Sequence, residues 1–169
     1  MATNNVGNFS VTVDNSKYMT FPNQPGFSVY NSSDYIDATG TGALYTPAQF
    51  NTTLIDRGSN FAGNIFTAPI SGIYLLSANI YAIGDFNSTT LSQISIITTS
   101  LTFIRSLSAE WSQDPYYNPA MLSFQCSTIC YLAIGDTAQV GWQITGPKYI
   151  NYYKGEANHQ TNFSGVLLC

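Results

Sequence analysis

The feature that most constrains this 169-residue chain is the spacing of its apolar residues, which recur at every second position in run after run. Ala138, Val140, Trp142 and Ile144 alternate with Gln139, Gly141 and Gln143. Tyr74, Leu76, Ala78, Ile80 and Ala82 form one apolar series, and Leu122, Phe124, Cys126, Thr128, Cys130 and Leu132 form another. Phe163, Gly165, Leu167 and Cys169 alternate with Asn162, Ser164, Val166 and Leu168. Successive side chains of a strand point to opposite faces, so this period describes strands with one face on a core. No stretch keeps the 3.6-residue period of a capped helix. With 12 Tyr, 10 Phe and only 8% charged residues, local preference agrees with the pattern. Shorter strands are expected at 26–30, 91–99 and 101–107, and the whole reads as an all-β sandwich.

One of these strands breaks the rule for a monomeric sandwich. Opposite its core series, the 73–83 strand carries Ile73, Leu75, Ser77, Asn79, Tyr81 and Ile83. The outer face of an antiparallel sheet is normally polar. A half-apolar outer face calls for a second cover, either another copy of the chain or the N-terminal segment.

The chain divides unevenly. Residues 1–22 have weak patterning and many Asn, Thr and Ser, and read as an arm or an extra edge strand; residues 23–169 form the domain. Long loops are expected at 84–90, 108–120 and 146–160, and short turns at 98–101 and 133–137. The net charge of −4, with five basic residues and no basic cluster, disfavours binding to nucleic acid. No run of 18 apolar residues is present to insert in a membrane, and the first residues lack the basic and apolar regions of a signal peptide.

Catalytic constellations are missing from the pattern. The single histidine, His159, lies in a polar loop without a nucleophile motif, and neither a phosphate loop nor a dinucleotide fingerprint occurs. The chain is therefore read as non-enzymatic. Cys126 and Cys130 are four apart on one strand, roughly 13 Å, too far for a disulfide, and are expected as buried thiols. The five Asn-x-Ser/Thr sequons are no more than so Asn- and Thr-rich a chain produces by composition.

Three phrases point to a family. Phe66-Thr-Ala-Pro69-Ile-Ser-Gly72-Ile-Tyr74, Leu132-Ala-Ile-Gly135-Asp136-Thr-Ala-Gln-Val140 and Phe163-Ser-Gly165-Val-Leu-Leu168 follow one another in that order. Together they resemble the globular C1q domain of the C1q/TNF-like superfamily, over about residues 26–168. Leu76 and Phe61 stand where the family usually has Phe and Tyr, and the collagen stalk is missing. The resemblance implies a ten-strand jelly-roll sandwich of two five-stranded antiparallel sheets that assembles as a homotrimer. It also implies that the 73–83 strand lines the threefold interface, with Ile73, Leu75, Tyr81, Ile83, Val166 and Leu168 as interface residues. Some members bind calcium near the axis, where Asp85 or Asp136 would serve; no other cofactor is implied.

In such a roll, connections alternate between the two ends. Counting back from the last strand puts the three long loops at the apex, opposite the termini. The expected ligand-binding residues are Trp111, Tyr116, Tyr117, Tyr149, Tyr152 and Tyr153, since rigid aromatic rings provide contact area at low entropy cost. The expected function is a homotrimeric recognition or display module on a virion surface, a phage fibre tip or capsid decoration, binding a cell-surface glycan or receptor protein. A secreted C1q-domain lectin or immune-recognition protein, or a TNF-like receptor ligand, remains the alternative, with an extracellular location.

Overall fold

A computed structural model describes residues 2–6, 9–13, 19–20, 23–84, 91–107, 120–153 and 160–169. The strands, in chain order, are β1 (Ala2–Val6), β2 (Phe9–Val13), β3 (Met19–Thr20), β4 (Gly26–Tyr30), β5 (Tyr35–Thr41), β6 (Thr52–Arg57) and β7 (Phe61–Ala62). They continue with β8 (Ile65–Thr67), β9 (Gly72–Gly84), β10 (Leu91–Thr98), β11 (Thr102–Leu107), β12 (Ala120–Leu132), β13 (Thr137–Tyr153) and β14 (Asn162–Leu167). Strands β1, β2 and β3 make a separate three-stranded antiparallel sheet.

The rest is an all-β jelly-roll sandwich. One five-stranded sheet runs β12-β9-β14-β4-β6. The other runs β11-β10-β13, and the far edge of β13 is shared by β8 and β5. At its C-terminal end β13 also pairs with β9, joining the two sheets at one margin.

The core between them comes from the alternating series. Tyr74, Leu76, Ile80 and Ala82 of β9 face Val140, Trp142 and Ile144 of β13 across the layer, all essentially inaccessible to solvent. Phe124, Cys126, Cys130 and Leu132 complete it from β12. Phe27 is the hub of an aromatic cluster, stacked on Phe66 at 4.6 Å and Phe61 at 5.2 Å, and edge-on to Phe163 at 4.8 Å. Gly165 lies beneath it. A Cβ there would stand 2.5 Å from the Phe27 ring and 2.7 Å from Leu76, so the ring seats on β14 only because no side chain intervenes.

The motif phrases meet in space. Ala133 and Asp136 close the β12–β13 turn by a backbone bond of 3.0 Å, Gly135 takes the left-handed φ of 86° that the turn demands, and the Asp136 carboxylate accepts from the Ala133 amide at 2.8 Å. The same turn exchanges two 2.8 Å backbone bonds with Ala68. Ser71 accepts from the Ile134 amide, and the buried Tyr74 hydroxyl donates to the Ile70 carbonyl. Asp136 is thus engaged in holding a turn.

Two expectations need correction. Residues 146–160 are not one long loop: β13 runs on through Tyr153. Gly146-Pro147 reads as a strand breaker, but it falls where pairing with β5 jumps from Thr145–Thr41 to Ile150–Thr39, and an irregularity of that kind accommodates proline. β5 itself, with Asp37 and Gly40 inside it, carries no alternation and was not expected as a strand.

Candidate functional site: the outer face of the β12-β9-β14-β4 sheet

The cross-strand register sorts the outer face of this sheet into rows. The row nearest the β12–β13 turn pairs Tyr131 with Ile73, and Leu168 joins it through its amide on the Ile73 carbonyl. The next runs Ile129–Leu75–Val166–Gly26–Arg57. The third is Ser127–Ser77–Ser164–Ser28, ending on Ile55. The fourth is Gln125–Asn79–Asn162–Tyr30.

The first two rows expose a continuous apolar patch: Ile129 is 62% exposed, Tyr131 65%, Leu168 46%, Ile73 40%, Leu75 37% and Val166 36%. Isolated surface aliphatics are ordinary, whereas six large apolar residues in adjoining positions form a contiguous patch. Polar rows bound the patch. Ser77 and Ser127 share a hydrogen bond of 2.8 Å, and Ser123 donates to Asn79 at 2.6 Å. Tyr81 and Ile83, expected on the same interface, share this face and are half-buried, but the serine and amide rows separate them from the patch. Ile129 and Tyr131 were missed, although the outward series Gln125, Ser127, Ile129, Tyr131 turns apolar at the end where Ile73 lies.

Beside the patch lies a notch of about 320 Å³, lined among others by Gly26, Ile55, Arg57, Leu75, Ser164 and Val166. It exists because Gly26 contributes no side chain to its row. A second hollow, about 430 Å³, opens between β11 and β12 near Arg105 and Cys126.

The two ends of the sandwich differ. At the base, the turn at 98–101 is tied to Thr137 by the Thr99 amide on its carbonyl at 3.1 Å, and the Ile73 amide donates to the Cys169 carbonyl. At the opposite end, Gly84 pairs with Ala120 and Ser92 with Leu107, so the strand ends flanking 85–90 and 108–119 come together there. Trp111, Tyr116 and Tyr117 lie outside the described residues, as do Asp85 and His159. Tyr149, Tyr152 and Tyr153 belong to β13, with Tyr152 in register with Tyr35 on one side and Ala82 on the other. Among the described residues, no group of three His, Cys, Asp or Glu could hold a metal ion, and no helix is long and apolar enough to cross a membrane. Cys126 and Cys130 are buried and unbridged, and burial pushes both thiols above their ordinary ionisation range.

Comparison with solved structures decides the architecture. The globular domain of zebrafish complement 1qA superposes over 86% of this chain and 98% of its own, at 16% identity and a TM-score of 0.51. Murine APRIL at pH 8.0 covers the same 86%, and 99% of its own chain, at 17% identity and a TM-score of 0.55. The fold is the C1q/TNF-like jelly roll. At these identities the likeness establishes the fold alone. No family model and no curated protein sequence matches the chain. Within the C1q/TNF-like frame, the three motif phrases are its turn and packing determinants: the 66–74 phrase docks on the Gly135-Asp136 turn, and Gly165 admits the Phe27 ring.

Proposed function

We propose that the chain is a non-enzymatic homotrimeric recognition or display module, carried on a virion surface as a fibre tip or capsid decoration. The observation that carries the reading is the six-residue apolar patch on the outer face of β12, β9 and β14. A solvated sheet face does not need it, whereas a threefold assembly buries it. With the base and its termini at one end, the apical end is left for a ligand. Trp111, Tyr116 and Tyr117, joined by Tyr149, Tyr152 and Tyr153 from the C-terminal part of β13, are the residues proposed to meet a cell-surface glycan or receptor protein. Three copies about one axis would convert a weak single contact into useful avidity. Two buried, unbridged cysteines and an exposed third suit a chain made in a reducing compartment and released by lysis, since small secreted domains commonly use their cysteines as disulfides.

The test has two parts. Sedimentation equilibrium at micromolar concentration should give three times 18.4 kDa. Whole-cell or glycan-array binding should then fall in Trp111→Ala and Tyr117→Ala while the trimer persists. A stable monomer would overturn the assembly, and undiminished binding in both variants would overturn the apical site.

A further inference from the structure

The apolar knob and the Gly26 notch lie on the same sheet: Ile129 of the knob shares the register row of Gly26, and the notch extends along that row from Leu75 to Arg57. Ile129 occupies the β12 end of the row Ile129–Leu75–Val166–Gly26–Arg57, and Tyr131 stands one row towards the base. Both are more exposed than any other residue of the patch. The notch, about 320 Å³, runs from Leu75 towards the other end of that row, lined there by Val166, Gly26, Ile55, Arg57 and the polar Gln24 and Ser164. That volume is at the bottom of the range for small-molecule pockets (roughly 300–1,000 Å³), and suits one or two side chains better than a free ligand.

We infer that Tyr131 and Ile129 of one copy enter the Gly26 notch of the next, a heterologous knob-in-notch contact that closes the ring. This rests on the trimer reading above and names the residues that make it. Three observations on the molecule converge. The first is height. A register row runs across the strands, so Ile129 of the knob and Gly26 of the notch sit at almost the same level along β9, three strand spacings or roughly 14 Å apart, with Tyr131 one row nearer the base. A contact between two different patches gives a closed ring when rotation carries no rise, and a filament when it does. A shared row removes the rise about an axis along the strands. The second is chemistry. The knob is an aromatic ring with an aliphatic neighbour, and the notch combines the aliphatic side chains of Ile55, Leu75 and Val166 with Arg57 and with Gln24 and Ser164, a lining that takes the ring on its apolar part and a phenol hydroxyl on its polar part. The third is the glycine. A Cβ at Gly26 would meet nothing nearer than 3.4 Å, so the fold of the single copy does not require a glycine there. An open notch is what the vacancy in the row produces.

The experiment uses two variants of the full chain, Tyr131→Ala, which removes the knob, and Gly26→Phe, which fills the notch. Each alone should shift the trimer to monomer, at least tenfold in midpoint concentration, with an unchanged far-UV spectrum. Mixed one to one, they should form a heterodimer, because one intact knob then meets one intact notch and no ring can close. Cysteines placed at both positions, Tyr131→Cys with Gly26→Cys in a Cys169→Ser background, should be joined into a covalent trimer by a short bismaleimide, which spans the space the tyrosine ring vacates. Wild-type trimers that survive both single variants unchanged would overturn this contact and leave the trimer standing. A monomeric wild type would overturn both. If Gly26→Phe fails to fold, the cysteine pair decides alone: covalent trimer supports the contact, and uncrosslinked chains refute it.

Discussion

Replacing Leu75 by Asp separates what the patch contributes to one copy from what it contributes to the assembly. Leu75 is 37% exposed in the single chain, flanked by Ile129 and Val166. Full burial of a leucine side chain is worth roughly 1.5–3 kcal/mol, so the part still facing water represents about 0.5–1 kcal/mol that only a partner can recover. Over six residues exposed between 36% and 65%, the same arithmetic gives roughly 4–9 kcal/mol per copy, comparable with the low end of the cost of association. An interface built on this patch would therefore have little surplus. A carboxylate at position 75 forfeits the leucine term and adds an unpaired charge in a buried layer, a loss of several kcal/mol in each copy. In the monomer that carboxylate stays partly hydrated, so the main cost there is the lost contact of the buried part, about 1–2 kcal/mol. Leu75→Asp should thus sediment as a folded monomer, with a thermal midpoint lower by no more than roughly 4–8 °C at a concentration where wild type is also dissociated. A variant that remains trimeric would refute the placement of Leu75 in the interface, and one that cannot fold as a monomer would refute the assignment of its role to assembly.

Other substitutions probe the frame and its chemistry. Gly165→Ala drives a Cβ to within 2.5 Å of the Phe27 ring and should destabilise by about 1–3 kcal/mol, read from denaturant midpoints. Asp136→Ala removes the acceptor of the Ala133 amide and should cost about 1 kcal/mol, against no loss of oligomerisation. Native thiol labelling should modify Cys169 promptly and leave Cys126 and Cys130 intact. Burial raises the ionisation points of Cys126, Cys130 and Tyr74 in the folded chain, so the unfolded chain sheds those protons first. Stability should accordingly be level below the ordinary thiol value of 9.0 and decline as pH rises above it, with a shallower decline in Cys126→Ala.

The strands legible in the sequence are those whose two faces have different surroundings. Tyr74 to Ala82 and Ala138 to Ile144 alternate because one face meets a dry core, and alternation is what a reader can detect. β5 escaped because Asp37 and Gly40 give Tyr35–Thr41 no such contrast, and the last third of β13 escaped because Gly146-Pro147 looks like a stop. The patch was half visible: Ile73, Leu75, Val166 and Leu168 follow from the apolar outer series of their strands. Ile129 and Tyr131 became neighbours of Ile73 and Leu75 only through the β12–β9 register, which depends on where a long connection returns. The notch was invisible, because a missing side chain makes no pattern.

The serine row has a consequence for any assembly that closes over it. Four hydroxyls per copy, on Ser127, Ser77, Ser164 and Ser28, lie just above the apolar rows and below the amides of Asn79 and Asn162. Hydroxyls cannot shed their hydration without new partners, and small side chains leave room for solvent to remain. Around a threefold axis such a layer would hold a short column of trapped water between a dry floor and a wet mouth. An interior of that kind responds to osmotic and hydrostatic pressure in ways a wholly apolar seam does not. Solutes that lower water activity would draw on this column, so the tightness of such an assembly would follow the water activity around it.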